Sequence, residues 1–494
     1  MRSTLRPHQI EALSQLKSSI LAGNKRPMVQ APTGFGKTIL AAAITEGAAL
    51  KGNRVIFVVP ALSLIDQTVA AFWHEGITDV GVIQADHTLT DWSKPIQVAS
   101  VQTLQRRRLP EAEVVVIDEA HRWFRFYGEW MKRPQWQDVP FIGLSATPWT
   151  RGLGKHFDDL IIAATTKDLI DAGYLSNFRV FAPAHPDLTG VKTVAGDYHE
   201  GQLAEAMNQD VLVADVVETW LKLGEDRPTL CFGVDRAHAK HLQQQFERAG
   251  VPCGYQDAFT DAAERAQIKA AFEAGRLKVV CNVGTLTTGV DWDVRCIILA
   301  RPTKSEILFT QIIGRGLRTA PGKDDCLILD HSDTHLRLGF VTDIHHTKLD
   351  DGSERQPKKP GDQVRLPKEC SKCSYLKPPK VAQCPSCGFK PEPRTDVEHE
   401  DGELSELTPK RKQVDKATKQ LWYSGFLRVA QERGYKKGWA ANQYRQKFGV
   451  WPRGLDEYST EPTPEVRNYV KASLIRFAKR REREKQGGAH VHAA

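Results

Sequence analysis

The sequence predicts an α/β protein built on parallel sheets, followed by a small metal-binding element and a basic helical domain. Short, wholly apolar runs suit strands that are buried on both faces, and helical patterns separate these runs. The apolar runs are Val55–Val59, Val114–Ile117, Phe141–Leu144, Thr229–Phe232, Val279–Cys281 and Cys326–Leu329. With 494 residues, the chain is too long for one domain at roughly 100–200 residues per domain.

The composition is that of a soluble globular protein, with 41% hydrophobic and 26% charged residues. The longest mostly apolar run, residues 55–65, is interrupted by Pro60 and is shorter than the roughly 18–20 residues that a membrane helix needs. The N-terminal residues lack the apolar stretch of a secretory signal. These features predict a cytoplasmic protein without a membrane partner, in a compartment where thiols stay reduced.

Positive charge is concentrated towards the C-terminal end of the chain. Residues 407–494 contain 20 Lys and Arg against 8 Asp and Glu, a net charge of +12. Because the whole chain has a formal net charge of +8, the preceding residues carry −4. A basic segment on a slightly acidic body suits an appendage that binds a polyanion, although a solvated helical surface would have the same composition.

The first candidate site is a loop that reads Ala-Pro-Thr-Gly-Phe-Gly-Lys-Thr over residues 31–38. It follows a short predicted strand, Met28–Gln30, and precedes a predicted helix, Ile39–Leu50. In this context glycines let backbone N–H groups approach phosphate oxygens, and the helix N-terminus adds partial positive charge. An ordinary turn is the alternative, but Gly-Lys-Thr between strand and helix favours a phosphate site. The candidate residues are Pro32, Thr33, Gly34, Gly36, Lys37 and Thr38.

A pair of acidic residues is expected at the same site. Asp118 and Glu119 directly follow the apolar run 114–117, and the carboxyl ends of parallel strands face the crevice in which ligands bind. Asp118 and the Thr38 hydroxyl are therefore candidate Mg²⁺ ligands, and Lys37 can reach the β and γ phosphates. Glu119 is placed to deprotonate a water for attack on the γ phosphate. The alternative is an acidic surface turn.

Four of the nine cysteines form a cluster in which two C-x2-C pairs are separated by ten residues. In a reducing compartment, four thiolates at this spacing predict a tetrahedral structural Zn²⁺ site, with a disulfide pair as the alternative. Sulfur then fills all four positions of the metal, so none is open for a catalytic water. The candidate ligands are Cys370, Cys373, Cys384 and Cys387.

The C-terminal segment is predicted to be helical. One helix is expected over Asp415–Arg433 with Gly434 as its end, and another over Val466–Arg483 after the start signal Thr463-Pro464-Glu465. Aromatic residues between 422 and 451 are interleaved with basic ones. They suit either base stacking or a small core, and the core is favoured for Trp422, Phe426, Trp439 and Phe448. The basic outer face is a candidate for binding nucleic acid or a protein partner.

The loop 31–38 and Asp118-Glu119-Ala120-His121 resemble the motifs of superfamily-two helicases of the DEAD/DEAH type. Further motifs occur in the family's order across roughly residues 5–335. They are Arg6-Pro7-His8-Gln9, Val59-Pro60-Ala61-Leu62, Ser100-Val101-Gln102-Thr103, Ser145-Ala146-Thr147-Pro148, Thr288-Gly289-Val290-Asp291 and Gln-Ile-Ile-Gly-Arg-Gly-Leu-Arg at 311–318. The resemblance implies two tandem RecA-like P-loop motor domains that share one ATP site.

The resemblance also implies a role for each motif. The implied roles are adenine reading by Arg6 and Gln9, ribose contact by Gly289 and Asp291, strand gripping by Pro60, Thr103 and Thr288, coupling of hydrolysis to movement by Ser145, Thr147 and Gln311, and arginine fingers at Arg315 and Arg318. Such arginines stabilise charge on the transferring phosphoryl group only when the cleft between the domains is closed. ATP binding then favours the closed state, and hydrolysis allows the cleft to open again.

Within this superfamily, residues 286–330 and the cysteine cluster that follows are similar to RadD-like bacterial DNA-repair ATPases, which favours DNA over RNA as the partner. The segment from about residue 407 departs from that group. The expected organisation is motor domain 1 (1–165), a connector (166–212), motor domain 2 (213–348), a linker (349–367), a zinc ribbon (368–391), a polar linker (392–412), a basic helical domain (413–486) and a disordered tail (487–494).

The leading hypothesis is an ATP-dependent helicase or translocase that uses ATP, Mg²⁺ and a structural Zn²⁺ and acts on DNA in repair or recombination. Two alternatives stay open. One is a motor subunit that translocates for a separate nuclease without unwinding, as in restriction systems. The other is a zinc-dependent nucleic-acid-binding protein that ATP switches between conformations.

Overall fold

The structure is a computed structural model that describes residues 1–84, 87–287, 291–353, 366–391, 415–436, 438–471 and 473. The chain divides into two compact units, Met1–Pro393 and Arg394–Ala494. The first unit contains both predicted α/β domains and the cysteine cluster, and the second contains the C-terminal helices. No helix among the described residues is long and apolar enough to cross a membrane.

The first lobe is built on a seven-stranded parallel sheet. In spatial order its strands are Val80–Ile83, Ile96–Ser100, Val55–Val59, Val114–Asp118, Phe141–Ser145, Pro27–Gln30 and Asp159–Ile162. The middle strand, Val114–Asp118, is buried except at its two end residues, and the two strands on each side of it are buried along their whole length. This burial explains the apolar runs in the sequence, because each strand has helices or loops on both faces.

The second lobe is built on a six-stranded parallel sheet. In spatial order its strands are Cys253–Gln256, Val279–Asn282, Thr229–Phe232, Cys296–Leu299, Asp325–Asp330 and Asn177–Phe181. All six predicted apolar runs are therefore strands, three in each sheet. The predicted architecture of two tandem parallel α/β domains is confirmed.

Helices flank both sheets. In the first lobe they are Pro7–Leu21, Lys37–Ala49, Ile65–His74, Val101–Leu104 and Arg125–Met131, with 3-10 turns at Leu62–Leu64, Pro134–Trp136 and Leu153–Lys155. From the connector onwards they are Thr166–Asp171, Glu200–Met207, Asp210–Leu223, Arg236–Arg248, Ala262–Glu273, Glu306–Gly316 and Thr334–Leu338. The helix expected to begin at Ile39 begins two residues earlier, at Lys37, directly after the glycine-rich loop.

The segment predicted as a connector, residues 166–212, contains regular structure. Asn177–Phe181 forms the edge strand of the second sheet, parallel to Asp325–Asp330. Thr193–Val194 and Asp197–Tyr198 form a two-stranded antiparallel hairpin. The polar composition of this segment reflects a half-exposed edge and a surface hairpin rather than a plain link. The domain boundaries stay predictions.

The cysteine cluster lies beside the edge of the second sheet. Its short hairpin pairs Lys368–Glu369 with Leu376–Lys377. Tyr375 forms an antiparallel bridge with Phe181 on the edge strand, and the Ala182 N–H donates to the Ser374 carbonyl at 2.9 Å. The element thereby covers a strand edge that would otherwise present unpaired backbone groups.

The second unit contains the helices Lys416–Glu432 and Gly438–Phe448 and a helix that begins at Pro464. Asp415 caps the first helix by accepting from the Thr418 N–H at 2.6 Å. Phe426 is fully buried in the core of this unit, and the other three expected core aromatics, Trp422, Trp439 and Phe448, are partly buried against it. The helix expected over Val466–Arg483 is described through residue 471 and at 473, and the rest of it lies outside the described residues.

Candidate ATP site

The glycine-rich loop has the backbone shape that a phosphate-binding loop needs. Gly34 has φ of 80° and Gly36 has φ of 82°, which lie in the left-handed region that favours glycine. Gly36 is the N-cap of the helix Lys37–Ala49. The loop therefore joins the carboxyl end of Pro27–Gln30 to a helix N-terminus with its backbone N–H groups available to an anion.

The N-terminal motif holds the loop from one side. The Gln9 side-chain oxygen accepts from the Arg6 N–H at 2.8 Å, and its Nε2 donates to the Phe35 and Gly36 carbonyls at 3.0 and 3.2 Å. Arg6 also donates to the Gly34 carbonyl at 3.0 Å and lies over the Tyr174 ring. The structure thus places both candidate adenine-reading residues directly on the phosphate loop.

Lys37 is the cationic centre of the site. Its Nζ forms ion pairs with Asp118, at 2.8 Å, and with Glu119. Burial alone would lower the pKa of Lys37, but the two carboxylates outweigh it and hold the pKa above its usual range. Lys37 is therefore a fully charged ammonium group beside the loop, as recognition of β and γ phosphates requires.

The two carboxylates differ in environment. Burial raises the pKa of Asp118, with Glu119 adding to the rise and Lys37 opposing it. Burial also acts to raise the pKa of Glu119, but Lys37 and His121 outweigh it and lower the pKa. Glu119 has φ of 48°, a left-handed conformation that is uncommon for a residue other than glycine. This backbone conformation lets the carboxylates of the consecutive residues Asp118 and Glu119 point into one site.

His121 connects the site to both lobes. Its Nδ1 lies 2.9 Å from the Ser145 hydroxyl, which also accepts from the Thr147 N–H at 3.0 Å. Its Nε2 lies 3.3 Å from Nε2 of Gln311 in the second lobe. Burial lowers the pKa of His121 to about 4, so the ring is neutral at physiological pH and Nε2 accepts from the Gln311 amide. Ser145 and Gln311 therefore meet at His121, and Thr147 is linked to it through the Ser145 hydroxyl.

The helix Glu306–Gly316 of the second lobe faces the phosphate loop. Gly314 lies so close to Thr33 that a Cβ at position 314 would overlap the Thr33 hydroxyl. Arg315 is 9% exposed, and burial together with the nearby Arg318 lowers its pKa to about 10, while Glu119 acts in the opposite direction. The guanidinium group therefore stays charged at neutral pH, within electrostatic reach of Glu119.

The remaining second-lobe candidates lie around Arg318. Its guanidinium group forms an ion pair with Asp291, and its backbone forms an antiparallel bridge with Leu175. Thr288 and Gly289, the other candidates of that motif, lie outside the described residues.

Two candidate strand-gripping residues lie at the carboxyl edge of the first sheet. Pro60 follows the strand Val55–Val59, and its carbonyl accepts from the Gln102 side chain at 2.8 Å. Thr103 follows Ile96–Ser100, and its backbone N–H donates to the Ser100 hydroxyl at 3.2 Å. The two loops are thereby joined at the edge that also bears Lys37, Asp118 and Ser145.

His121 and Leu175 make contacts at the site that were not predicted from the sequence. His121 was part of a quoted motif, but its position between Ser145 and Gln311 required the fold. Leu175, in the predicted connector, approaches Gly34 so closely that a Cβ on the glycine would overlap its side chain. No local pattern marks Leu175, because its contact joins residues that are far apart in sequence.

The donor set fits a magnesium–nucleotide complex. The loop supplies backbone N–H groups and an ammonium group for phosphates, and Asp118 supplies a carboxylate oxygen, the ligand type that Mg²⁺ prefers. Thr38 is exposed at the second position of the helix. The site can therefore hold Mg²⁺ and a triphosphate with Glu119 beside them.

The four clustered cysteines fit a tetrahedral metal site. Their sulfur atoms all lie within 4.8 Å of one another, and the pairs Cys370–Cys387 and Cys373–Cys384 are each 3.7 Å apart. Zn–S bonds of about 2.3 Å in a tetrahedron put sulfur atoms about 3.8 Å apart, whereas a disulfide bond is about 2.05 Å long. The cluster could hold zinc, and no disulfide joins these cysteines.

Comparison with known proteins agrees with this geometry. Residues 2–150 match the family described as "Type III restriction enzyme, res subunit", and residues 212–320 match "Helicase conserved C-terminal domain". The "51.5 kDa protein" of Lactococcus phage (isolate 7-9) is 27% identical over 439 residues, 85% of this chain and 89% of the phage protein. "Putative ATP-dependent helicase IRC3" of Saccharomyces cerevisiae is 30% identical over 353 residues, 66% of this chain and 51% of the yeast protein.

One solved structure shows the same fold. "The fragment structure of a putative HsdR subunit of a type I restriction enzyme from Vibrio vulnificus YJ016" has a TM-score of 0.51 at 21% identity, over 66% of this chain and 63% of that chain.

The phosphate loop with Lys37 lies on the sheet of the first lobe, and the helix with Arg315 from the second lobe faces it. This arrangement defines a two-lobed P-loop ATPase. Residues 2–150 and 212–320, which match these two families, form a helicase-type core with ATP-hydrolysing activity. The chain's match spans about half the length of the yeast relative.

Proposed function

We propose that this chain is an ATP-driven helicase that moves along nucleic acid, with DNA favoured over RNA, in repair or recombination. The observation that carries the proposal is the contact between the lobes at the phosphate loop. Gly314 abuts Thr33, and Gln311 reaches His121. A site assembled from both lobes ties hydrolysis to their relative movement.

The first lobe would hold and activate the nucleotide. Lys37 exchanges its pairing with Asp118 and Glu119 for the β and γ phosphates, while Thr38 and Asp118 ligate Mg²⁺. Arg6 and Gln9 place the adenine-reading segment beside the loop. Glu119, freed from Lys37, accepts the proton of the attacking water. Mg²⁺, when bound, would polarise the γ phosphate, and the protein's part would be to position the reacting groups and to stabilise the developing charge.

The second lobe would complete the site. Arg315 and Arg318 stabilise charge on the transferring phosphoryl group, and Asp291 contacts the ribose together with Gly289. Opening of the cleft removes both arginines and stops hydrolysis. His121 carries this change to Ser145, Thr147 and Gln311 as coupling residues, because it contacts elements of both lobes.

Movement requires that each lobe grip the strand. Pro60 and Thr103 serve the first lobe, since they lie at the same sheet edge as the ATP site, and Thr288 serves the second. The DNA-repair role is supported by the similarity of residues 286–330 to RadD-like ATPases. The four cysteines hold Zn²⁺ as a structural ion, and the basic helical domain is a further surface for nucleic acid or a protein partner.

A second candidate is a translocase that moves on DNA without unwinding it and serves a separate nuclease. The match of residues 2–150 to a family described as a restriction-enzyme subunit favours it. Strand displacement beside triplex displacement separates the candidates, because a pure translocase removes only the third strand.

The rate of ATP hydrolysis tests the proposed function. It is measured with single-stranded DNA, duplex DNA, forked DNA and RNA in parallel at one salt concentration, since such binding depends on salt. We expect DNA to stimulate hydrolysis more than RNA does. Lys37→Ala should lower the rate at least about 100-fold, because it removes the charge beside the γ phosphate. Lys17→Ala, at an exposed position of the first helix, is the control.

Two results would count against the proposal. Hydrolysis by Lys37→Ala at the parental rate would show that the phosphate site has been assigned wrongly. The motor assignment fails if none of the four nucleic acids stimulates the parental protein.

A further inference from the structure

After the last helix of the second lobe, the chain crosses back to the first lobe. Residues 340–352 form this return segment. At its start Phe340, Val341 and Ile344 are buried. The Phe340 ring packs against that of Phe178 on the edge strand of the second sheet, with ring centres 5.9 Å apart. The return segment therefore begins in a buried position on the second lobe.

The other end of the return segment is bound to the first lobe. The Asp350 carbonyl accepts from the Gly154 N–H at 2.8 Å, and the Asp350 carboxylate accepts from the Gly152 N–H at 3.1 Å. Leu349 packs against the first-lobe core cluster that contains Leu153. A Cβ on Gly154 would lie 3.2 Å from the Asp350 carbonyl oxygen, so the two backbones are in close contact. The return segment therefore joins the two lobes.

His346 lies between the two bound ends and contacts both lobes. Its Nε2 lies 2.6 Å from a carboxylate oxygen of Glu306. Because an ionised carboxylate only accepts hydrogen bonds, Nε2 is the donor. The centre of the His346 ring lies 4.9 Å from that of Trp149, with the ring planes tilted by 33°. One side chain thus connects the first residue of the helix Glu306–Gly316 to the residue that follows the coupling motif 145–148.

Trp149 is itself connected to the ATP site. It is 9% exposed, and its backbone N–H donates to the Thr147 carbonyl at 2.8 Å. The next residue, Thr150, donates its hydroxyl to the His121 carbonyl at 2.6 Å. The first-lobe partner of His346 is therefore part of the loop that carries the coupling residues and contacts His121.

The helix that carries Arg315 is thus held by the first lobe at two points. Gln311 contacts His121, and Glu306 is held through His346. One contact would let the helix pivot, whereas two contacts about 7–8 Å apart along the helix axis fix its direction. A tilt of about 10° at Gln311 would move the backbone of Arg315 by about 1 Å. The contact through His346 prevents such a tilt.

We propose that His346 is a positioning residue for ATP hydrolysis, which fixes the direction of the helix Glu306–Gly316 against the phosphate loop. It acts through Glu306 and Trp149 rather than on the phosphates. This inference goes beyond the proposed function, because it requires hydrolysis but no movement along nucleic acid. Small misplacements of catalytic groups reduce rates strongly, so the loss of His346 should affect turnover more than nucleotide binding.

Three substitutions in the full chain separate the contacts of His346. His346→Ala removes both contacts, His346→Phe keeps a ring against Trp149 without a donor, and His346→Gln keeps an amide donor for Glu306. The measurements are kcat and KM for ATP, without nucleic acid and with saturating single-stranded DNA, and the melting temperature. We expect kcat to fall roughly tenfold in His346→Ala and His346→Phe, and to stay within about threefold of the parental value in His346→Gln. The KM for ATP should stay within about twofold in all three.

His345→Ala is the matched control, because His345 is exposed in the same segment, and it should match the parental protein. A double variant, His346→Ala with Glu306→Ala, tests whether the two residues act through one contact. Residues in contact show non-additive effects, so the double variant should be no slower than the slower of the two single variants. Independent roles would instead multiply the two losses.

Three results would overturn the inference. They are a parental kcat in His346→Ala, a His346→Gln as slow as His346→Ala, and multiplied losses in the double variant. Turnover losses that follow the melting temperature rather than the presence of a donor at position 346 would also overturn it, because the role would then be purely structural. If no nucleic acid stimulates hydrolysis, the proposed motor function fails, while the rates without nucleic acid still test His346.

Discussion

At the scale of single residues, Glu119 is the side chain whose role is tested most simply. It is held beside Lys37 by an uncommon backbone conformation, and the pairing lowers its pKa, so it is ionised and able to accept a proton. Glu119→Gln keeps the shape of the side chain but removes the carboxylate that accepts the proton. We expect ATP hydrolysis to fall at least about 100-fold while nucleotide binding is kept. Turnover and nucleotide affinity are measured together.

The matched control for Glu119→Gln is Glu111→Gln, at an exposed position shortly before the same strand. It should hydrolyse ATP at the parental rate. If Glu119→Gln does so as well, another group activates the water.

Residue types and their spacing predicted most of the ATP site. Lys37 and Asp118 follow directly from a glycine-rich loop before a helix and an acid after a buried strand. The sequence did not reveal that Gln9 binds the loop backbone or that His121 links two lobes. Those contacts depend on how distant elements pack, and a polar residue alone gives no indication of its partner.

At the scale of elements, the helix Glu306–Gly316 is critical because it meets the phosphate loop. Gly314→Ala tests that contact. Alanine favours a helix over glycine by about 1 kcal/mol, so folding is not at risk, but the added methyl group would collide with Thr33. We expect ATP turnover with saturating DNA to fall on the order of tenfold to 100-fold, since small misplacements of catalytic groups are costly.

Gly47→Ala is the matched control, because Gly47 is also within a helix and a Cβ there would meet no atom within 4 Å. It should be at least as stable as the parental protein and equally active. Full activity of Gly314→Ala would mean that the lobes need not approach this closely during turnover.

Strands that are buried on both faces were predictable and edge elements were not. Val55–Val59 and Thr229–Phe232 are continuous apolar runs. Asn177–Phe181 alternates polar and apolar residues, a weaker signal that its position at the sheet edge explains. The hairpin Thr193–Tyr198 is too short and too polar to be recognised from the sequence alone.

At the scale of the whole molecule, the cysteine cluster is joined to the second lobe. We expect about one zinc per chain in the parental protein and almost none in Cys384→Ser, because a structural site needs all four thiolates. The melting temperature of the first unit should fall by several degrees, because the edge strand Asn177–Phe181 loses the element that covers it. The expected fall is about 2–4 °C for each kcal/mol of unfolding free energy that is lost. Basal ATP hydrolysis should largely remain. Zinc content, melting and hydrolysis are measured on one preparation.

Ser386→Ala is the control for Cys384→Ser, because Ser386 is exposed within the same C-x2-C pair. It should retain zinc and the parental melting temperature. Full zinc content in Cys384→Ser would exclude the four-sulfur site.

The account depends most on the claim that one ATP site draws catalytic groups from two lobes. The most direct measurement is ATP turnover by Arg315→Ala with saturating DNA, beside nucleotide affinity, with the exposed Arg248→Ala of the same lobe as the control. The account predicts a loss on the order of 1,000-fold in turnover with nucleotide binding kept, as for other arginine fingers. Parental turnover by Arg315→Ala would show that the second lobe supplies no arginine finger at this position, and it would contradict the shared site.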